Sequence, residues 1–363
     1  MKTMYIYSQR YSQHLISKEA PLWLKEEYKA AIGLEDYSEV DIDKEDWIES
    51  IIQLTELVKF IPKNQILIYN DYKKISYELE AFNDKFKDIK LIGLYVNFKR
   101  LDFIKLKYKI NKILFPFEKE AIDLEWSFMK NDFFKKYANR NLLGFASTVD
   151  PESGDILKER KLDKWKERLI DFNYCKKTSV EVKLKELAME IKKPTKFFIK
   201  TRKKHWAVSI LLEPNNTHGE IYSKLMDLFG YSWSERIFNE RDNIFVQEYA
   251  DIEYEYRFII INGKIVTGGG SIEEFTPAQN KSIFDIQLRK DRKGKSEIIE
   301  AKSIVSNYLK FAKNILKEIK YKNYTLDIAF INGKIGIIEL NPYLNVGFFA
   351  SNYKEIIKEI KEI

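Results

Sequence analysis

The chain has 363 residues, of which 45% are hydrophobic, 14% aromatic and 32% charged, a balance that excludes a disordered or low-complexity protein and predicts two or three domains with a sizeable core. Sixty-two Lys and Arg against 55 Asp and Glu leave a formal charge of +7, a mild excess that suits phosphate-rich or acidic ligands but lacks the concentrated basic face that nucleic acid selects. One cysteine, Cys175, and three histidines leave no internal disulfide and little for zinc, so any metal is expected to take oxygen ligands; no stretch has signal-peptide or membrane-span character, and a cytoplasmic protein without membrane contact is expected.

Short apolar runs at Met4–Tyr7, Gln65–Tyr69 and Lys90–Val96 read as strands, and the spacing of Trp47, Ile51, Ile52, Leu54, Val58 and Ile61 reads as an amphipathic helix. A mixed α/β domain is therefore expected over residues 1–115. A helical connecting region is expected over 116–178, with helix-like stretches at Glu118–Tyr137 and Asp163–Phe172 and a turn-rich segment, Ser147–Asp155, between them. From Ser179 the pattern predicts a helix to Lys192, strands at Lys196–Thr201 and Trp206–Leu212, a helix at Gly219–Phe229 and a strand at Asn243–Tyr249. Two hairpins follow, Tyr254–Thr267 about Asn262-Gly263 and Tyr324–Leu340 about Asn332-Gly333, because Asn-Gly tolerates the positive φ of a tight turn. A long helix, Lys295–Ile319, is expected between them. The triple glycine Gly268–Gly270 reads as a flexible strand exit in preference to a phosphate nest, and the run Arg289–Lys295 as a solvated loop or a flap that attracts an acidic substrate.

The most informative segment is Tyr324–Gly347. Asp327 falls on the first strand of its hairpin, and Glu339 and Asn341 fall on the second. Glu339 and Asn341 are two apart, so an extended strand points both to one face. Two carboxylates and an amide oxygen on one face are hard donors suited to Mg²⁺ bridging nucleotide phosphates. Register tests this reading. A tight, unbulged Asn332-Gly333 turn sets Asp327 opposite Ile338, on the other face from Glu339, so shared ligation requires a bulge or a different loop length.

Three motifs in order, KFFIK at Lys196–Lys200, IFVQEYADIEYEYRFIIINGKIV at Ile244–Val266, and the Asp327, Glu339-x-Asn341-Pro constellation, resemble the ATP-grasp superfamily. The twelve-residue spacing from Asp327 to Glu339 is similar to that of its ribosomal-protein glutamate-ligase-like branch. The resemblance runs from about Ser179 to Gly347. It implies an α/β to α+β architecture, with an ATP-grasp domain of antiparallel sheets over 179–363 and a hinge near 247–250. It further implies that Lys200 contacts nucleotide phosphates, that Gln247, Glu248 and Tyr249 line an adenine pocket, that Glu255 lies near the ribose, that Arg257 reaches the reacting phosphoryl group, and that Asp327, Glu339 and Asn341 hold Mg²⁺. Many members carry a glycine-rich loop where this chain has TRKKHW, Thr201–Trp206; here Arg202 and Lys204, with Lys203, would give side-chain charge in place of backbone amides. Arg289, after the alternating stretch Ile283–Leu288, is a candidate second phosphate or substrate arginine. Lys200 as a solvated strand end, and Arg257 paired with Glu255 or Asp251 on a sheet face, are the alternatives.

The activity the resemblance implies is ATP- and Mg²⁺-dependent ligation of a carboxylate to an amine through an acyl phosphate. No Cys–His or Ser–His arrangement stands out, and that chemistry needs no protein nucleophile. A kinase acting on a hydroxyl and a nucleotide-binding module without turnover are the alternatives. The expected partners are ATP and a carboxylate and an amine of small-molecule or peptide type.

Overall fold

A computed structural model describes residues 2–8, 53, 56–57, 59–62, 65–69, 89–95, 112–114, 136–140, 142–146, 179–201, 207–229, 244–270, 282–289, 298–341 and 347–362. The chain divides into two compact units, Met1–Lys130 with Ile252–Ile363, and Asn131–Asp251. The boundaries expected at 115 and 178 lie outside the described residues, as do most of 47–61, 118–137, 147–155 and 163–172.

The first unit opens with strands β1 (Lys2–Ser8), β2 (Ile66–Tyr69), β3 (Ile89–Tyr95) and β4 (Lys112–Leu114), a parallel sheet of order β2-β1-β3-β4. Strand β1 is central, and its Tyr5 is fully buried. The three apolar runs read from the sequence are β1, β2 and β3; β4 is an addition.

The second unit contains β5 (Leu142–Ala146), helix α1 (Ser179–Glu190), β6 (Thr195–Thr201), β7 (Ala207–Leu212), helix α2 (His218–Phe229) and β8 (Ile244–Glu248). Its antiparallel sheet has the order β5-β8-β6-β7. Phe197, Ile199, Ile210, Leu212 and Val246 share a core with Leu184, Leu187 and Ala188 of α1 and Ile221 and Leu225 of α2. Side chains alternate along a strand. Lys196, Phe198, Lys200 and Gln247 therefore turn to the sheet face away from the helices. Helix α2 starts on a capping box, in which the Thr217 amide donates to Glu220 Oε2 at 2.7 Å and the Glu220 amide donates to Thr217 Oγ1 at 3.3 Å.

The remainder of the first unit is β9 (Ile252–Ile261), β10 (Lys264–Gly270), β11 (Gln287–Arg289), β12 (Ile298–Glu300), helix α3 (Lys302–Leu316), β13 (Tyr324–Ile331), β14 (Lys334–Asn341) and helix α4 (Tyr353–Lys361). Strands β9, β10, β13 and β14 form an antiparallel sheet of order β10-β9-β13-β14. Both expected hairpins turn through Asn-Gly pairs at positive φ, 54° and 74° at Asn262-Gly263 and 51° and 76° at Asn332-Gly333. The helix expected from Lys295 starts only at Lys302, because Ile298–Glu300 pair with Gln287–Arg289 as a two-stranded ribbon. Tyr308 of α3 packs against the sheet, with its ring centroid 6.2 Å from Tyr256 and 5.8 Å from Phe330. Among the described residues no helix is long and apolar enough to cross a membrane.

The triple glycine is neither a flexible exit nor an open nest. It is the buried end of β10, and each position meets a neighbour where a Cβ would stand. An ideal Cβ would come within 2.5 Å of the Tyr256 ring at Gly268, 2.3 Å of the Ala350 carbonyl carbon at Gly269, and 2.8 Å of the Gln287 carbonyl oxygen at Gly270. The obstacle at Gly269 is backbone and cannot rotate aside. Gly269→Ala should therefore lower stability by about 1–3 kcal/mol, whereas Gly219→Ala, in the first turn of α2 with nothing within 4 Å of the new methyl, should raise it by about 0.5–1 kcal/mol. Urea melts of both variants check this; a Gly269→Ala melt equal to that of the wild type contradicts it.

Candidate functional site

The register of the last hairpin decides which face its carboxylates share. From the turn, Ile331 pairs with Lys334 and Ile328 with Ile337; Ile338 is then an extra residue, after which Asp327 pairs with Glu339 and Thr325 with Asn341. The tight turn is present, and so is the bulge that shared ligation requires. A bulged residue reverses the side-chain parity of everything beyond it. Glu339 and Asn341 consequently return to the face of Asp327. On its other flank Asp327 pairs with Arg257 of β9, and Arg257 pairs with Gly269 of β10. One rung across the four strands thus reads Gly269, Arg257, Asp327, Glu339.

Within that rung Arg257 and Asp327 form a forked ion pair. Nε donates to Oδ1 at 2.7 Å and Nη2 to Oδ2 at 2.6 Å, with Arg257 5% and Asp327 0% exposed. Asp327 is thus a partner of Arg257 that the sequence did not offer beside Glu255 and Asp251. Nη1 donates to the Gly347 carbonyl at 2.8 Å, and the guanidinium lies 3.7 Å from the Phe349 ring centroid. Asn341 Nδ2 donates to Glu339 Oε1 at 2.7 Å and to Asp327 Oδ2 at 3.2 Å. Burial pushes the Asp327 carboxyl up, to about 6; Arg257 pulls it down, and the nearby Glu339 and Glu255 push it up further. Glu255 is buried in β9.

Backbone on the same face completes the arrangement. The segment 347–352 lies over the rung: the Ala350 amide donates to the Gly270 carbonyl, and the Asn352 amide donates to Thr267 Oγ1. Asn352 also caps α4 by accepting from the Glu355 amide. Gln53, 1% exposed, accepts from the Phe348 amide at 2.8 Å. No sequence signal marks Gln53, because its partner is a backbone group 295 residues away.

Among the described residues no cluster of three His, Cys, Asp or Glu side chains could hold a metal. The donors here are two carboxylates and an amide. By type they suit Mg²⁺, since each offers an oxygen, but Asn341 turns its Nδ2 to both acids and its unpartnered Oδ1 away from them, so joint ligation requires the amide to turn over. Glu339 is only half-buried, so its carboxylate is not sealed away.

The second unit carries the other predicted residues except Arg289, which belongs to the first. Lys200, at the end of β6, is buried and not a solvated strand end. Gln247 is buried in β8, where its Oε1 accepts from Arg140 Nε at 3.0 Å; Arg140 Nη1 donates to the Ala138 carbonyl at 3.1 Å. Arg140 belongs to no motif and sequence reasoning missed it. Glu248 is half-buried opposite Phe197, on the parity of the helix-covered face. Tyr249 is 42% exposed, with Lys196 Nζ 4.0 Å from its ring centroid. Arg202 and Lys204 lie outside the described residues, and Arg289 stands in β11 opposite Ile298.

No family model matches the chain, and no curated protein matches it. Among solved structures it is similar to the D-alanine–D-alanine ligase of Bacillus anthracis complexed with ATP, at 13% identity and a TM-score of 0.45 over 100% of this chain and 96% of that one. It is also similar to the N5-carboxyaminoimidazole synthetase of Staphylococcus aureus, at 13% identity and a TM-score of 0.39 over 94% and 70% of the two chains. A third likeness is to the ATP-grasp ligase PsnB complexed with minimal precursor, at 11% identity and a TM-score of 0.35 over 100% of both chains. Likeness at this level carries no functional argument, and function rests on the residues of this chain.

Removing one partner of a buried ion pair leaves an uncompensated charge. Arg257→Met alone and Asp327→Leu alone should each cost about 3–5 kcal/mol, and the double variant should cost less than their sum. Denaturant melts of the three variants give the coupling energy; strictly additive costs would contradict a direct pair.

Proposed function

We propose that the chain is an ATP- and Mg²⁺-dependent carboxylate–amine ligase of the ATP-grasp type. The observation that carries this reading is the bulged β13–β14 register, which sets Asp327, Glu339 and Asn341 on one sheet face next to Arg257. The choice of a carboxylate as acceptor follows from the resemblance of the three sequence motifs. In the proposed reaction a carboxylate oxygen of the first substrate attacks the γ-phosphorus of ATP, ADP leaves, and an acyl phosphate forms. The amine of the second substrate then attacks the acyl carbon, loses a proton, and expels phosphate to leave an amide.

Each residue has a role that its chemistry supports. Mg²⁺ held by Asp327, Glu339 and Asn341 would neutralise charge on the β- and γ-phosphates. Arg257 holds Asp327 in place and brings permanent positive charge to the reacting phosphoryl group. Lys200 supplies a compact cation for the phosphates, and Gln247 and Tyr249 meet the base with their side chains, whereas Glu248, on the helix-covered parity, is assigned to the pocket through its backbone. Glu255 is assigned to the ribose. Arg202 and Lys204 are assigned to the phosphates in place of a glycine-rich loop, and Arg289 to phosphate or substrate.

Glu339→Gln is the informative variant, because it alters a half-buried ligand without unpairing Arg257. With carboxylate and amine pairs screened by ADP release, a pair that turns over should lose more than about 10-fold in rate on this substitution. Hydroxylamine added to the wild type with the carboxylate alone should yield a hydroxamate, the trapped form of an acyl phosphate. ADP release coupled to a stable phosphate ester, with no hydroxamate, would show a kinase instead.

A further inference from the structure

We propose that Arg140 fixes Gln247 as a pure hydrogen-bond donor, so that the base-binding position selects a ring-nitrogen acceptor on the edge of a purine. The inference rests on the nucleotide reading above and adds to it a specificity element and a residue that positions it. A guanidinium carries donors only. Arg140 Nε therefore determines which end of the Gln247 amide faces it, and the Oε1 contact at 3.0 Å is not open to the usual ambiguity of an amide flip. The Nε2 amine is left as the end of the side chain that can meet a ligand. This contact is the one side-chain hydrogen bond that Gln247 makes among the described residues.

The support around the pair is rigid. Strand β8 is interior to its sheet, with Gln247 paired to Leu142 of β5 on one flank and to Phe198 of β6 on the other. Arg140 is 7% exposed, and its second anchor is the Ala138 carbonyl, two residues back along the chain. The Gln247 side chain lies on the sheet face away from the helices, on the same parity as Lys200. An unrestrained glutamine can turn either its carbonyl or its amine to a base. With the carbonyl held by Arg140, an exocyclic amine at this position would meet a donor, whereas N1 or N7 of a purine ring would meet a matched partner.

The test is isothermal titration of the full chain, with Mg²⁺, using a non-hydrolysable ATP analogue and its 1-deaza and 7-deaza forms, in which one ring nitrogen is replaced by C–H. Wild type should bind the parent, and one of the two deaza forms should bind about 10-fold more weakly, the loss of one matched hydrogen bond. Gln247→Glu keeps an acceptor for Arg140 but has no donor. It should melt no lower than wild type, bind the parent at least about 10-fold more weakly, and no longer distinguish that deaza form from the parent. Arg140→Ala, which lets the amide turn, should weaken the same distinction. Equal binding of all three nucleotides by wild type overturns the proposal without recourse to any variant, and so does a folded Gln247→Glu protein that binds as wild type does. If wild type binds none of them, the nucleotide reading itself fails and this inference fails with it.

Discussion

The forked pair between Arg257 and Asp327 is the interaction on which the candidate site depends. Two opposite charges are buried side by side on adjacent strands, and each makes the other tolerable where a lone charge would be expelled or neutralised. The pair also extends beyond the sheet. Arg257 holds the Gly347 carbonyl and lies over Phe349. This draws the segment before α4 down onto the rung. That approach is possible only because the next position in the rung is Gly269, where a Cβ would overlap the Ala350 backbone. From the other side Gln53 secures the Phe348 amide. The rung, the glycine and the overlying backbone therefore form one unit.

The bulge at Ile338 gives this unit its chemical content. Both Asn-Gly hairpins have the same turn, and both carry an extra residue in the second strand, Val266 in one and Ile338 in the other. In the first it sets Gly269, in place of Gly268, opposite Arg257. In the second it brings Glu339 and Asn341 across from the helix-covered face to the face of Asp327. Asn341 then spans the two carboxylates with its amine and leaves its oxygen without a partner. A buried amide oxygen without a partner is costly in itself.

Much of this was legible in the sequence, and the reasons for the remainder are physical. Local signals carried well: Asn-Gly for the turns, short apolar runs for β1, β2 and β3, and the two-residue step that aligns Glu339 with Asn341. Register did not, because turn chemistry fixes pairing only up to the first bulge and the bulge is chosen by tertiary packing. Arg257 was identified but not its partner, since 70 residues separate it from Asp327. Arg140 and Gln247 are 107 apart. The glycines were misread because a close backbone approach and a flexible exit use the same residue. Helix α4 carries a clear local signal, since Tyr353, Ile356, Ile357 and Ile360 follow the cap Asn352 at helical spacing. The overlong helix expected from Lys295 failed because two isoleucines fit a ribbon as readily as a helix stripe.

In the proposed function the carboxylates and amide bind a nucleotide through Mg²⁺. This is tested most directly by isothermal titration of a non-hydrolysable ATP analogue into wild type and Glu339→Gln, with and without Mg²⁺. Wild type should bind more tightly with Mg²⁺, and the mutant should remain folded and lose the Mg²⁺-dependent part. Binding that ignores Mg²⁺ in both proteins, or no binding by a folded wild type, would contradict the proposed function.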